Sequence, residues 1–97
     1  MRVLNKELLD KFMKKHADSV NAIGRVVDIL EKERILNLNE LRLLFPTADY
    51  IGRSRYVLNI KGNDYRLLVT ISFVSGIAYV LFIGTHAEYD KIDCLKI

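Results

Sequence analysis

"RYVLNIKGNDYRLLVTISFVSGIAYVLFI", residues 55–83, decides the fold. Apolar and polar side chains alternate through RYVLNIK, YRLLVTISF and IAYVLFI, the period-two signature of strands with one face in a core. Gly62-Asn63 and Val74-Ser75-Gly76 interrupt the alternation with turn residues, and connections this short join antiparallel neighbours. With Gly62-Asn63 as a two-residue loop, Lys61 lies opposite Asp64, Ile60 opposite Tyr65 and Asn59 opposite Arg66. With Val74-Ser75-Gly76 as a three-residue loop, Phe73 lies opposite Ile77, Val69 opposite Leu81 and Arg66 opposite Gly84. Register decides which side chains share a face. This one puts Tyr56, Leu58, Ile60, Tyr65, Leu67 and Val69 on a core face, continued by Ile71, Phe73, Ile77, Tyr79, Leu81 and Ile83. The opposite face is mixed and carries Arg55, Val57, Asn59, Lys61, Arg66, Leu68 and Phe82, with its basic residues gathered at one end.

Upstream of Pro46 the period is 3.6. Met1 to Leu4 alternates and reads as a short strand. Asn5 is placed to cap a helix whose stripe is Leu8, Leu9, Phe12 and Met13. Asp18 is placed to cap a second, with Ile23, Val26, Val27 and Leu30 on its apolar stripe. Asn37 with Glu40 three residues later signals a third, short helix, stopped by Pro46, the only proline. Helices first and strands after them predict an α+β domain: helices packed on one face of a mainly antiparallel twisted sheet.

A chain of 97 residues with 51% hydrophobic residues forms one domain, 1–97, with a packed core. The formal net charge of +3 tolerates a polyanionic partner without demanding one. Cys94 is the single cysteine, so no internal disulfide is available and a reducing compartment suits the chain. His16 and His86 are the only histidines, and zinc-type ligand spacing is absent, so no metal and no cofactor are expected. No stretch reaches the roughly 18 apolar residues of a membrane span, and no signal-peptide pattern opens the chain. The expectation is a soluble, cytoplasmic protein.

The end of the last strand concentrates proton chemistry. FIGTHAEYDKI, residues 82–92, follows an apolar strand with His86, Glu88, Tyr89, Asp90 and Lys91. In the register above it emerges beside Asn59, Lys61 and Arg66, with Arg53 and Arg55 nearby in sequence. Metal-free RNA cleavage, in which a 2′-hydroxyl attacks its own phosphate, asks for these groups. His86 can exchange a proton near neutral pH. Arg66 and Lys61 can hold the phosphate as charge builds. Tyr89 can stack on a base or donate a hydrogen bond, and Asp90 can orient His86. Plainer readings stand beside these: Arg66 in a structural ion pair with Asp49, Glu88 or Asp90, Lys61 solvated, Tyr89 plugging the core. The residues by themselves describe a small α+β domain with a basic, histidine-bearing edge.

FPTAD at 45–49, NIKGNDYRL at 59–67 and FIGTHAEYDKID at 82–93 together resemble the HigB group of bacterial type II toxins, in the RelE superfamily of mRNA interferases. The opening MRVLNKELLDKFMKKH is similar to the start of that family. One departure is that family members commonly carry an aromatic pair, often with Trp, in the second helix, where this chain reads AIGRVVDILEKE and has no Trp. The resemblance implies a RelE-like fold and a metal-independent mRNA endonuclease acting at the ribosomal A site. It also implies neutralisation by a HigA-type helix-turn-helix antitoxin. Carried onto this chain it implies catalytic roles for His86, Arg66, Tyr89 and Lys61. RNA contacts fall to Arg53, Arg55, Asn59 and Lys91, and an orienting role to Asp90. Two alternatives are a ParE-like gyrase inhibitor, which needs no nuclease residues, and a non-catalytic RNA-binding protein. The latter would tolerate loss of His86 but not of Arg55 or Lys61.

Overall fold

In the computed structural model, which describes residues 1–97, the helical half and the alternating half form two layers. The helical half holds β1 (Arg2–Leu4), α1 (Glu7–Lys15), a one-turn 3-10 segment (Ala17–Ser19), α2 (Val20–Lys32) and α3 (Leu38–Leu44). The second half holds β2 (Asp49–Gly52), β3 (Arg55–Ile60), β4 (Tyr65–Ser72), β5 (Ile77–Thr85) and α4 (His86–Asp90). The sheet order is β1-β5-β4-β3-β2, and every pairing is antiparallel except β1 with β5. The α+β expectation therefore holds.

The helical stripes meet the sheet as their spacing requires. Leu9 and Phe12 of α1, Ile23, Val26 and Leu30 of α2, and Leu41 of α3 are buried against Leu58, Ile60, Leu67 and Val69. Full burial of one such side chain contributes about 1.5–3 kcal/mol. Two helix starts differ from expectation. Asn5 takes φ 66° and its Nδ2 donates to Val80 O at 2.8 Å, pinning the β1–α1 corner to β5 instead of capping α1. Asp18 lies in the 3-10 turn ahead of α2, and its carboxylate accepts from Lys61 and Tyr65. Asn37 does cap α3, accepting from Glu40 N at 2.9 Å.

The first hairpin keeps the expected register: Ile60 pairs with Tyr65 and Asn59 with Arg66. Its turn places Lys61 (φ 52°) and Gly62 (φ 65°) in the left-handed region. The second hairpin departs. Ser72, not Phe73, pairs with Ile77, because Gly76 N donates to Ser72 O at 2.8 Å and closes a longer loop. Val69 then pairs with Val80 rather than Leu81, and a bulge between Val80 and Phe82 restores Leu68 to Phe82 and Arg66 to Gly84. The first part of β5 is consequently turned over: Ala78 and Val80 are buried in the core, while Tyr79 is exposed. β2 is an additional strand. Its link to β3 holds Arg53 (φ 52°) and Ser54 (φ 61°) in the left-handed region without the usual Asn-Gly signal.

Candidate active site

The bulge builds the site. By taking up one extra residue it turns Phe82 to the face away from α1 and α2, and keeps Gly84 opposite Arg66. A Cβ on Gly84 would lie 2.6 Å from Phe82 Cζ and 3.0 Å from Glu88 Oε1, so only glycine lets ring and carboxylate close over the strand end. Thr85 then ends β5 and starts α4 at once. Its side chain accepts from Glu88 N at 3.2 Å, and Glu88 Oε1 accepts from Thr85 N at 2.8 Å. That reciprocal cap satisfies two donors that the helix start would otherwise leave unpaired. The Thr85 backbone N–H holds the Glu88 carboxyl below the ordinary glutamate range, so Glu88 is engaged as a cap.

The cap sets His86 on the first helical residue and Tyr89 three positions later on the same side. Both meet Arg66. Arg66 Nε donates to His86 Nε2 at 3.3 Å, a bond that requires the neutral imidazole with its proton on Nδ1. The guanidinium carbon of Arg66 lies 5.0 Å from the Tyr89 ring centroid, within cation–π range. Phe82 backs Tyr89 at 6.3 Å between centroids. Burial, with the Cys94 thiol beside it, pushes the Tyr89 hydroxyl up to about 12, against the opposing pull of Arg66. Tyr89 therefore keeps its proton at neutral pH and can donate it in a hydrogen bond.

Arg66 is half-buried and has no carboxylate partner; the expected ion pairs to Asp49, Glu88 or Asp90 do not form. A guanidinium carries five N–H donors. Here one goes to His86, and the Nη edges have no hydrogen-bond acceptor in the protein. A partly desolvated cation with free, forked donors beside an imidazole is an oxyanion receptor in its geometry.

The other expected site residues separate. Asn59 faces Arg66 across the β3–β4 ladder and donates to Thr47 Oγ1 at 3.0 Å. Asp90 and Lys91 are exposed at the far end of α4, and Asp90 makes no bond to His86. Lys61 is not in this cluster: its ammonium lies 2.7 Å from Asp18 Oδ2, under the helices, because the left-handed turn carries it to that side. Arg53 and Arg55 stand at the opposite end of the face, beyond the buried pair Val57 and Leu68. Main-chain oxygens of the last residues occupy them: Arg53 Nη1 donates to Leu95 O at 3.3 Å, and Arg55 Nη2 to Ile97 O. The basic residues thus form three groups rather than one. Phe82 and Gly84 stand where the alternation puts them, on the Arg66 face and opposite Arg66, because the bulge restores that register; their part in the site, the ring closing over the glycine behind Tyr89, carries no signal in the sequence. Thr85 also belongs to the site and was not singled out in the sequence, although its T-x-x-E spacing to Glu88 is the signal that marks such a cap.

Residues 15–92 match the HigB_toxin family, described as the RelE-like toxic component of a toxin–antitoxin system. The chain belongs to the HigB toxin family. The mRNA interferase HigB of Escherichia coli O6:H1 strain CFT073 is 29% identical over 94 residues, covering 95% of this chain and 91% of that one. The mRNA interferase toxin HigB of Escherichia coli K12 is 25% identical over 93 residues, covering 93% and 88%. As a HigB-family toxin the protein has an antitoxin as its partner. No helix is long and apolar enough to cross a membrane. No three His, Cys, Asp or Glu side chains converge as metal ligands.

Proposed function

We propose that this HigB-family toxin is an endoribonuclease that cleaves mRNA, without a metal, by attack of the ribose 2′-hydroxyl on the adjacent phosphate. The observation that carries the reading is the half-buried Arg66 guanidinium, free of any carboxylate and bonded to His86. A phosphate fits the Nη edges as a forked acceptor. The 2′-hydroxyl takes the place of Arg66 Nε at His86 Nε2, and the imidazole receives its proton as the new P–O bond forms. Charge then grows on the non-bridging oxygens, and Arg66 stabilises it where solvent is partly excluded. The P–O bond to the 5′-oxygen breaks, and that oxygen leaves with a proton from water or from the Tyr89 hydroxyl, which the proton held on His86 then replaces. Tyr89, protonated at neutral pH, stacks against a neighbouring base or donates to the leaving oxygen. The products are a cyclic phosphate and a 5′-hydroxyl, so atoms and protons balance.

Asn59, Lys91 and Asp90 border this centre and extend the RNA contact. Arg53 and Arg55 join it when phosphates replace the main-chain oxygens they now hold. The names of the relatives support mRNA as substrate. The setting that fits is the cytoplasm, at the ribosomal A site, with a HigA-type antitoxin restraining the toxin. Transcript 5′ ends mapped after brief induction, with His86→Ala alongside, test the reading. New ends inside translated frames from wild type alone are expected. Growth arrest with intact mRNA would overturn it in favour of gyrase inhibition.

A further inference from the structure

Val57 and Leu68 pair across β3 and β4 on the face that carries Arg66, and both are buried. They stand outside the core that α1, α2 and α3 close on the other face. Residues 91–97, which follow α4, are anchored on both flanks of this pair. Cys94 lies beside Tyr89 at the Arg66 end. At the other end Leu95 Cδ2 lies 3.8 Å from where a Cβ on Gly52 would sit. There the main-chain oxygens of Leu95 and Ile97 accept from Arg53 Nη1 and Arg55 Nη2. The segment therefore crosses the face between the two groups of basic residues.

Little holds it there. Its backbone hydrogen bonds are local, from Ile92 N to Tyr89 O and from Lys96 N to Asp93 O, and none joins the sheet. Leu95 and Ile97 keep part of their surface in water. The polar ties are the two arginine bonds, and these are incomplete. Arg55 donates Nη1 to Arg53 O and Nη2 to Ile97 O, yet its Nε is buried without an acceptor. A buried donor left unpaired disfavours the closed arrangement. A main-chain oxygen is a neutral, single acceptor, whereas a phosphate is charged and can take the Nε–Nη2 edge with two oxygens.

We propose that residues 92–97 are a displaceable strap over this end of the face, and that the phosphates of single-stranded RNA lift it to reach Arg53 and Arg55. The proposal rests on RNA as the ligand of this face, and adds a control over how much of the strand is held. Asn59, which faces Arg66, is four residues from Arg55 on β3. That is about 13 Å along the strand, at about 3.3 Å per residue. An RNA strand bound at Arg66 reaches Arg55 only across the ground that the strap covers. With the strap down, the toxin holds RNA by the Arg66 centre alone. With it lifted, two more cations engage, and the apparent affinity of the full chain is reduced by the fraction of molecules in which the strap is up.

The probe is a 2′-O-methyl oligoribonucleotide, which lacks the attacking hydroxyl, with binding read by fluorescence anisotropy. Deleting residues 95–97 removes the hold on both arginines and keeps Cys94. It also removes the positive charge of Lys96, so charge alone predicts weaker binding. Binding is expected instead to tighten about tenfold, the gain when about a tenth of the full-length molecules are open. In an Arg53→Gln/Arg55→Gln chain the same deletion is expected to change nothing. In the full-length chain, a spin label on Ile97→Cys, with Cys94→Ser, is expected to gain mobility when the oligonucleotide is added, a reading that does not require the shortened chain to fold. No gain on deletion in a chain that melts like wild type, or an equal gain in the double Gln chain, overturns the proposal. So does a label whose mobility the oligonucleotide leaves unchanged. If transcripts stay intact in cells while the deletion gain and the label response are both found, the strap stands and the nuclease reading falls.

Discussion

Tyr65 and Arg66 are consecutive on β4, and strand alternation sends them to opposite faces of the sheet. Each sits in a small cluster of a basic residue and a tyrosine. Under the helices, Tyr65 and Lys61 share the Asp18 carboxylate, at 2.8 and 2.7 Å. On the other face, Arg66 and Tyr89 meet His86, and no carboxylate joins them. The first cluster is complete: each charge has its opposite, and a further ligand would have to displace one. The second is short of one anion. An ion pair that closes on itself ties the β3–β4 turn to the α1–α2 corner, whereas the open one is ready for a phosphate. Residue type does not separate the two clusters; the presence of Asp18 in one of them does.

Removing the open cluster should have the largest effect. His86→Ala is expected to lower the cleavage rate by about 10²–10⁴-fold, the usual share of a proton-transfer group. Arg66→Ala should do at least as much. Arg66→Lys keeps the charge but loses the fork, so it should recover only part of the rate. Melting temperatures of all three should stay close to wild type, because neither side chain closes an ion pair in the folded protein. Single-turnover cleavage on programmed ribosomes, beside thermal melts, checks this. A large loss of stability in Arg66→Ala would make it a structural residue instead.

A middle-sized effect is expected where the site is shaped rather than charged. Gly84→Ala places a methyl 2.6 Å from Phe82 Cζ. The ring must shift, and with it the wall behind Tyr89; such overpacking costs typically about 1–3 kcal/mol. Cleavage should fall by roughly tenfold, at 1.4 kcal/mol per factor of ten. Adding Phe82→Leu removes the clashing ring atoms and should restore part of the rate. Full activity in Gly84→Ala would show that the ring does not position Tyr89.

How much of this was readable depends on which contacts are local. The helical stripes, the Asn37 cap and the first hairpin follow from spacings of a few residues, and they hold. Asn59 and Arg66 face each other because the turn over residues 61–64, centred on Gly62-Asn63, keeps the register that those two residues announce. The second hairpin hides its register. Ser72 and Gly76 close a four-residue loop, and the bulge near Leu81 repays the shift. Only packing of Ala78 and Val80 beneath the helices and beside β1 selects that solution, and no local pattern carries it. Two compensating offsets explain why Arg66 still faces Gly84 while Tyr79 and Val80 exchange faces. Asp18 shows the same limit: a helix-cap signal by spacing, it is drawn by Lys61, 43 residues away, into an ion pair.

The smallest effect is expected from breaking the closed cluster. Lys61→Ala and Asp18→Asn should leave cleavage unchanged and lower stability slightly, since an exposed pair is screened by solvent. The pH dependence is specific. The hydrogen bond from Lys61, then that from Tyr65, holds the Asp18 carboxyl below the ordinary aspartate range. Its stabilising share is therefore present above the unfolded value and is lost as pH falls through the lowered one. The bond to Asp18 holds Lys61 above the ordinary lysine range, so its share is present below the unfolded value and is lost as pH rises through the raised one. The stability gap between wild type and Lys61→Ala should stay level across neutral pH and close at both extremes. It should also narrow in about 1 M salt, where the screening length is about 3 Å. Urea melts across pH read this directly. A clear fall in cleavage by Lys61→Ala, with stability preserved, would return Lys61 to the phosphate site. It would also mean that the Asp18 contact opens when RNA binds.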